Sequence, residues 1–342
     1  MHDQLISQNL SSLTRRQFLG RTAAGAAMGW GLSRSAWSAE DAKSAKAKLK
    51  YPYIDMHTHI GTFYPGQELT ADGLVELMDE NGIERAVILP LISPESTIFL
   101  QTNEDAIRNY KLHPDRLIPF CCIDPRCSTT NPKRYGHVAG VQGITDLLKR
   151  YQEMGAKGVG EHKVGLPFDH PQMMMLYEAC SNLSLPMLFH LDDIRSFDTP
   201  GLPRLENVLK AFPKLILMGH AAGFWASISA DATFEDFGRY PEIPTPTIPG
   251  GALDTLMEKY PNRYGDLSEP GGEKAIARDP KFGREFIIRR ADQLVFGTDY
   301  LMANQKIPQF ELLDSLDLPE EVQYKIYRGN AIKILNLEDL KE

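Results

Sequence analysis

Eight times between Tyr53 and Asp299, a short apolar run carrying turn residues at its ends is followed by a stretch with helical spacing. The runs are "YIDMHTH", "RAVILP", "LIPFCCID", "AKGVGEHKVG", "PMLFHLDD", "LILMGH", "RYGDLS" and "QLVFGTD". Helical patterns such as "ADGLVELMDENG" and "PRLENVLKAFP" lie between them, and "EEVQYKIYRGNAIKIL" packs the tail. Short apolar strands alternating with helices read as parallel strands joined by crossover helices. Eight such units fit an α/β fold, the (β/α)8 TIM barrel. An open doubly wound sheet is the alternative, but no Gly-x-Gly-x-x-Gly follows a strand and opens a helix. The rhythm breaks from Ala221 to Gly251, in a segment rich in Pro, Gly and aromatic residues that is expected to cover the barrel mouth.

In such a barrel the chemistry sits at the C-terminal ends of the strands. Strand alternation puts Asp55, His57 and His59 on one face of the first strand. Glu161 ends the fourth strand, His190 the fifth, His220 the sixth and Asp299 the eighth. The steps from 161 to 190 and from 190 to 220 are 29 and 30 residues, one βα unit each, so these groups arrive at one height. Any one of them alone reads as a satisfied core polar group. Six together read as a metal centre, because neutral imidazoles and carboxylates suit Zn²⁺, with Mn²⁺ or Fe²⁺ as alternatives. Lys163 shares a side with Glu161, and His162 points away. The plain alternative for Glu161 is therefore an inward ion pair with Lys163, which is otherwise a contact for a substrate anion or a carboxylation site. Asp55 is expected to orient an imidazole, Arg126 and Arg195 to grip a carboxylate, and Phe224 and Trp225 to wall the pocket.

The constellation resembles the amidohydrolase superfamily, in its amidohydrolase-related (type 2) branch, over residues 51–342. The resemblance rests on Asp55-x-His57-x-His59, Phe189-His190, Gly219-His220, Gly297-Thr298-Asp299 and "GNAIKIL". It implies His57, His59, His190 and Asp299 as metal-centre residues and His220 as a ligand or proton donor. Many two-metal relatives carry a carboxylated lysine at strand four. This chain has Glu161 there and is similar in that respect to TatD-related deoxyribonucleases, a resemblance that implies Glu161 as a bridge between two ions. The expected activity is a metal-dependent hydrolase that cleaves an ester, lactone or amide of a small molecule, with Asp299 moving the proton of the attacking water and one or two ions bound. A non-oxidative decarboxylase is the first alternative, because the branch also resembles aminocarboxymuconate semialdehyde decarboxylase. A non-enzymatic periplasmic metal- or ligand-binding barrel is the second, and the complete ligand set argues against it.

The N-terminus belongs to a different logic. "LTRRQFLG" pairs two arginines with Phe18 and Leu19, an uncharged run follows from Thr22 to Leu32, and "SAWSAED" offers small residues for cleavage. Residues 1–39 thus read as a twin-arginine signal peptide and 40–50 as a linker, which implies the twin-arginine export machinery as a partner and a periplasmic or secreted protein. The apolar run is too short for a stable membrane anchor. The formal charge of −8 argues against nucleic-acid binding, and homo-oligomerisation is left open. Of the four cysteines, Cys121, Cys122 and Cys180 fall in apolar or helical patterns and read as buried thiols, not a disulfide framework.

Overall fold

A computed structural model describes residues 50–96, 99–127 and 140–340. The twin-arginine segment, and the linker apart from Lys50, lie outside the described residues.

The strands are β1 (Tyr53–Thr58), β2 (Gly61–Tyr64), β3 (Gln67–Leu69), β4 (Ile83–Ile88), β5 (Leu117–Pro119), β6 (Val159–His162), β7 (Met187–His190), β8 (Leu217–His220), β9 (Arg263–Asp266) and β10 (Leu294–Val295). Two parallel sheets, β1-β4-β5 and β10-β9-β8-β7-β6, account for the eight expected strands. Backbone hydrogen bonds join the sheets at both edges. Met56 N–H donates to Phe296 O and Asp299 N–H to His57 O, while Cys121 N–H donates to Gly158 O and Gly160 N–H to Cys121 O. The result is a closed (β/α)8 barrel without a free edge. The hairpin β2–β3 has no counterpart in the expected rhythm. Gly61 and Gly66, both at positive φ, allow the chain to reverse there through "TFYPGQEL".

Ile54, Val87, Ile118, Leu188, Met218, Tyr264 and Val295, one from each of seven barrel strands, belong to one buried apolar cluster that the tail residues Ala331 to Leu337 join. On β6 the equivalent place falls to Gly160, where a Cβ would lie 2.5 Å from Leu188 O. This layer marks the inward side of the barrel. Two residues further along β7, β8 and β9, the same side carries His190, His220 and Asp266. On β1 simple alternation fails: Ile54 and Met56 join the apolar layer, and the pairing with β4 is irregular between Asp55 and Thr58. His57 and His59 reach the same end through that irregularity. The tail closes the barrel through Asn330, whose side-chain amide donates to Ala291 O and Leu294 O at 2.7 Å each, fixing the approach to β10.

The segment after β8 begins with a short helix, Ala222–Ala226, and continues through a 3₁₀ turn, Phe234–Gly238. Phe237 is fully buried, and Gly238 lies so close to Asp193 that a Cβ would meet its carboxylate at 2.6 Å. Thr245 N–H donates to Arg278 O, and Thr247 N–H to the Asp279 carboxylate. These contacts anchor the segment to the loop after β7 and to the helix ends around Arg278.

Candidate metal centre

Two groups of donor atoms meet at the C-terminal end of the barrel, and Glu161 belongs to both. In the first, His57 Nε2 and His59 Nε2 are 3.2 Å apart. Asp299 Oδ1 is 3.3 Å from each, and Glu161 Oε2 is 3.6 and 3.4 Å from them. The far nitrogens are engaged: His57 Nδ1 donates to Asp266 Oδ2 at 2.6 Å, and His59 Nδ1 to Leu89 O at 2.9 Å. In the neutral rings that these contacts favour, both Nε2 atoms turn their lone pairs toward one point. A tetrahedral site with bonds of about 2.0–2.2 Å has edges of about 3.3–3.6 Å. These donors have that spacing, and the buried Asp299 Oδ1 has no hydrogen-bond partner. Burial opposes charge on the His57 ring, yet the carboxylates of Asp299, Asp266 and Glu161 raise its pKa well above the usual value. A divalent cation would enter that same negative field.

In the second group, Glu161 Oε1 lies 2.9 Å from His190 Nδ1 and 2.5 Å from His220 Nε2, and the two imidazoles are 2.9 Å apart. His190 Nε2 pairs with Asp192 Oδ2 at 2.9 Å. The Asp192 carboxyl, despite its burial, is pulled down to about 2 by His190, by the Arg195 backbone N–H and by the Arg195 charge. His220 Nδ1 has the Ser268 hydroxyl at 3.3 Å and the Glu269 carboxylate at 4.0 Å.

The sequence matches the amidohydrolase family over residues 54–337. The chain belongs to the amidohydrolase family. No curated protein matches it significantly. Its fold is similar to an uncharacterised TIM-barrel protein from Bordetella bronchiseptica, at 16% identity and TM-score 0.57 over 84% of this chain and 99% of that one. It is similar to a probable 2-pyrone-4,6-dicarboxylic acid hydrolase from Acinetobacter baumannii, at 12% identity and TM-score 0.56 over 84% and 100%. It is also similar to 5-carboxyvanillate decarboxylase from Novosphingobium aromaticivorans, complexed with manganese, at 14% identity and TM-score 0.55 over 85% and 97%.

The amidohydrolase brings all six expected donors, His57, His59, Glu161, His190, His220 and Asp299, to one place. Several supporting roles differ from expectation. Asp55 touches no imidazole ring. Its carboxylate accepts from Thr298 Oγ1 at 2.7 Å and from the backbone N–H groups of Thr298 and His57, so it ties β1 to the end of β10. The imidazole is oriented by Asp266, which sequence reasoning passed over. Asp266 is held in turn by Ser268 Oγ at 2.7 Å. Gly297 makes room for it, since a Cβ there would lie 2.3 Å from Asp266 Oδ1. Trp225 does not wall a pocket: it is fully buried, and its indole N–H donates to Asp266 O at 2.9 Å. Phe224 is buried as well, because the turn after His220 is helical and faces the core. Arg126 is unavailable to a substrate, with its guanidinium spread over Glu95 at 2.5 and 2.8 Å and Asp124 at 2.6 Å. Arg195 sits at the edge of the site, 3.2 Å from Asp192 Oδ2, with its Nε buried and unpartnered. Lys163 Nζ lies 2.7 Å from Glu161 Oε2, so the expected ion pair is present beside the histidines. His162 contributes to neither group, and its ring nitrogens have no hydrogen-bond partner. Cys121, Cys122 and Cys180 are buried free thiols, and Cys127 is free and exposed.

Proposed function

We propose that this amidohydrolase hydrolyses an ester, lactone or amide bond of a small molecule, using two divalent ions held by His57, His59 and Asp299 on one side and by His190 and His220 on the other. The observation that carries this reading is Glu161, whose two carboxylate oxygens face one donor group each. A bound divalent ion lowers the pKa of water toward neutrality and polarises the bond under attack. The chain's own part follows from its geometry. Asp266 and Leu89 O keep the β1 imidazoles in the tautomer that presents Nε2. Asp299 Oδ1, buried and free of hydrogen bonds, accepts the proton of the attacking water and returns it to the leaving group. Arg195 supplies positive charge at the edge of the site for an anionic group. The imidazole-rich donor set favours zinc over manganese or iron. Metal analysis of purified protein tests the reading: two ions per chain, with Glu161→Gln weakening one of them, is the expected result. One ion per chain, indifferent to Glu161→Gln, overturns it.

Lys163 favours a second reading. Its ammonium already neutralises Glu161, which leaves a single ion on His57, His59 and Asp299 and suits non-oxidative decarboxylation. A panel of small esters, lactones and aromatic carboxylates separates the two, since only the decarboxylase releases carbon dioxide.

We further propose export of the folded protein to the periplasm by the twin-arginine route, on the strength of "TRRQFLG". Exchanging Arg15 and Arg16 for lysine is expected to trap the precursor in the cytoplasm, and normal delivery of that variant refutes the route.

A further inference from the structure

His220 differs from His57 in one respect that chemistry should not leave open. If its Nε2 is a ligand atom, its Nδ1 must carry the proton, and that proton needs an acceptor. Ser268 Oγ, 3.3 Å away, gives its own hydrogen to Asp266 Oδ2 at 2.7 Å and can accept the His220 proton only through a long hydrogen bond to a neutral oxygen. The carboxylate facing His220 Nδ1 is Glu269, whose Oε2 lies 4.0 Å away, about 1 Å beyond hydrogen-bond length.

Glu269 shows three independent signs of being held for a purpose. Its φ is +61°, a left-handed conformation that costs a non-glycine residue on the order of 1 kcal/mol or more. Its Oε2 is buried and without a hydrogen-bond partner. Its other oxygen, Oε1, accepts a short hydrogen bond from the Tyr240 hydroxyl. The surroundings accommodate this placement. Gly271 leaves space beside Oε2, where a Cβ would come within 3.1 Å, and Gln309 donates to the Glu269 backbone carbonyl at 2.9 Å. Tyr240 belongs to the wall segment after β8, and its ring is further held by Lys274 Nζ at 5.5 Å from the centroid. Burial and the Glu269 carboxylate, with smaller contributions from Asp299 and Asp192, hold the Tyr240 hydroxyl's pKa above its usual value, so it stays a donor to Glu269.

We propose that Glu269 is the positioning carboxylate of His220, set in place by Tyr240, and that the pair couples the wall segment to the second donor group. The proposal rests on the two-ion reading above. Glu269 would then do for His220 what Asp266 does for His57, with one difference: Asp266 is fixed by its own strand end, whereas Glu269 depends on a tyrosine brought by a separate segment.

The test uses full-length protein stripped with a chelator and titrated calorimetrically with Zn²⁺, together with nitrogen-15 NMR of the histidine rings. Glu269→Gln keeps an acceptor for Tyr240 and removes the charge. It is expected to weaken the weaker of the two ions by about 10–100-fold, the range found for partners behind a ligand histidine, and to leave the tighter ion unchanged. Tyr240→Phe is expected to move the same ion in the same direction by less. In the wild type the His220 Nδ1–H proton should resonate far downfield, and both variants should shift it. A purely structural pin would lower the melting temperature and leave ion affinities and this resonance alone, and that outcome overturns the proposal. If wild-type protein takes up one ion only, the two-ion reading fails. The resonance then decides alone: its loss in Glu269→Gln upholds the positioning role, and its persistence overturns it.

Discussion

On the β1 and β10 side of the site, both histidines have their backs covered. His57 leans on Asp266 at 2.6 Å, His59 on Leu89 O at 2.9 Å, and Asp55 holds the two strands together beneath them. On the β6 to β8 side, His190 is paired with Asp192, while His220 has a hydroxyl at 3.3 Å and a carboxylate at 4.0 Å. The first group owes its shape to strand ends and backbone carbonyls, which move little. The second owes part of its shape to loops and to a wall segment that arrives between β8 and β9. The difference teaches where preorganisation comes from in a barrel: contacts made by strands come with the fold, and contacts made by loops must be built separately.

The largest expected effect tests whether the first group carries the chemistry. Asp299→Asn preserves the side-chain shape and removes both the proton acceptor and a charged donor of the first group, so kcat should fall by about 10²–10⁴-fold or more and the ion of that group should bind more weakly. A loss below tenfold in steady-state kinetics would remove Asp299 from proton transfer. Next comes Asp266→Asn, which should weaken the tighter ion by about 10–100-fold in a calorimetric titration. Ser268→Ala should act on the same ion by less, since it touches Asp266 and not the ligand nitrogen that faces the ion. Equal effects from the two would break the contrast between a directly backed and an indirectly backed histidine. Asp55→Asn should act on stability more than on metal, costing on the order of 1–3 kcal/mol in denaturant unfolding, because buried donors on Thr298 lose a charged acceptor. If it removes metal without lowering stability, Asp55 belongs to the site and not to barrel closure. The smallest effect is expected from Trp225→Phe. Losing one hydrogen bond to the Asp266 carbonyl should cost about 1 kcal/mol of stability and shift the tighter ion by less than the Asp266 variant does.

The six donors were legible because each ends a strand and successive strands arrive one βα unit apart. Glu161, His190 and His220 announced themselves by spacing alone. Asp266 was equally accessible in principle, as an acid two residues beyond the inward Tyr264 in "RYGDLS". It was missed because the wall segment stretches the step from His220 to 46 residues and hides the period. Glu269 and Tyr240 left no such trace, since their meeting depends on a left-handed backbone and on where a loop lands. Arg126 carried a misleading signal: its partner Glu95 lies 31 residues away, so a saturated guanidinium looks free in sequence. Trp225 misled for the opposite reason, because a helical turn directly after a strand buries an aromatic that a loop would have exposed. The alternation that placed Asp55 with the histidines ignored the irregular pairing of β1, so the residue was assigned to a ring when it serves the backbone.

The clamp between Asp55 and Thr298 sets an order of events during synthesis. Thr298 follows Asp55 by 243 residues, and Asp299 comes one later. At ribosomal rates of about 5–20 residues per second, His57 and His59 wait on the order of 10–50 s before their carboxylate partner exists. Throughout that interval the first strand lacks the neighbour that closes the barrel. A chain cut short before Thr298 would have both imidazoles and neither the clamp nor Asp299. The first donor group is thus complete only once the segment after the last barrel strand has been made, and a shorter chain presents its two imidazoles without the carboxylate that completes the set.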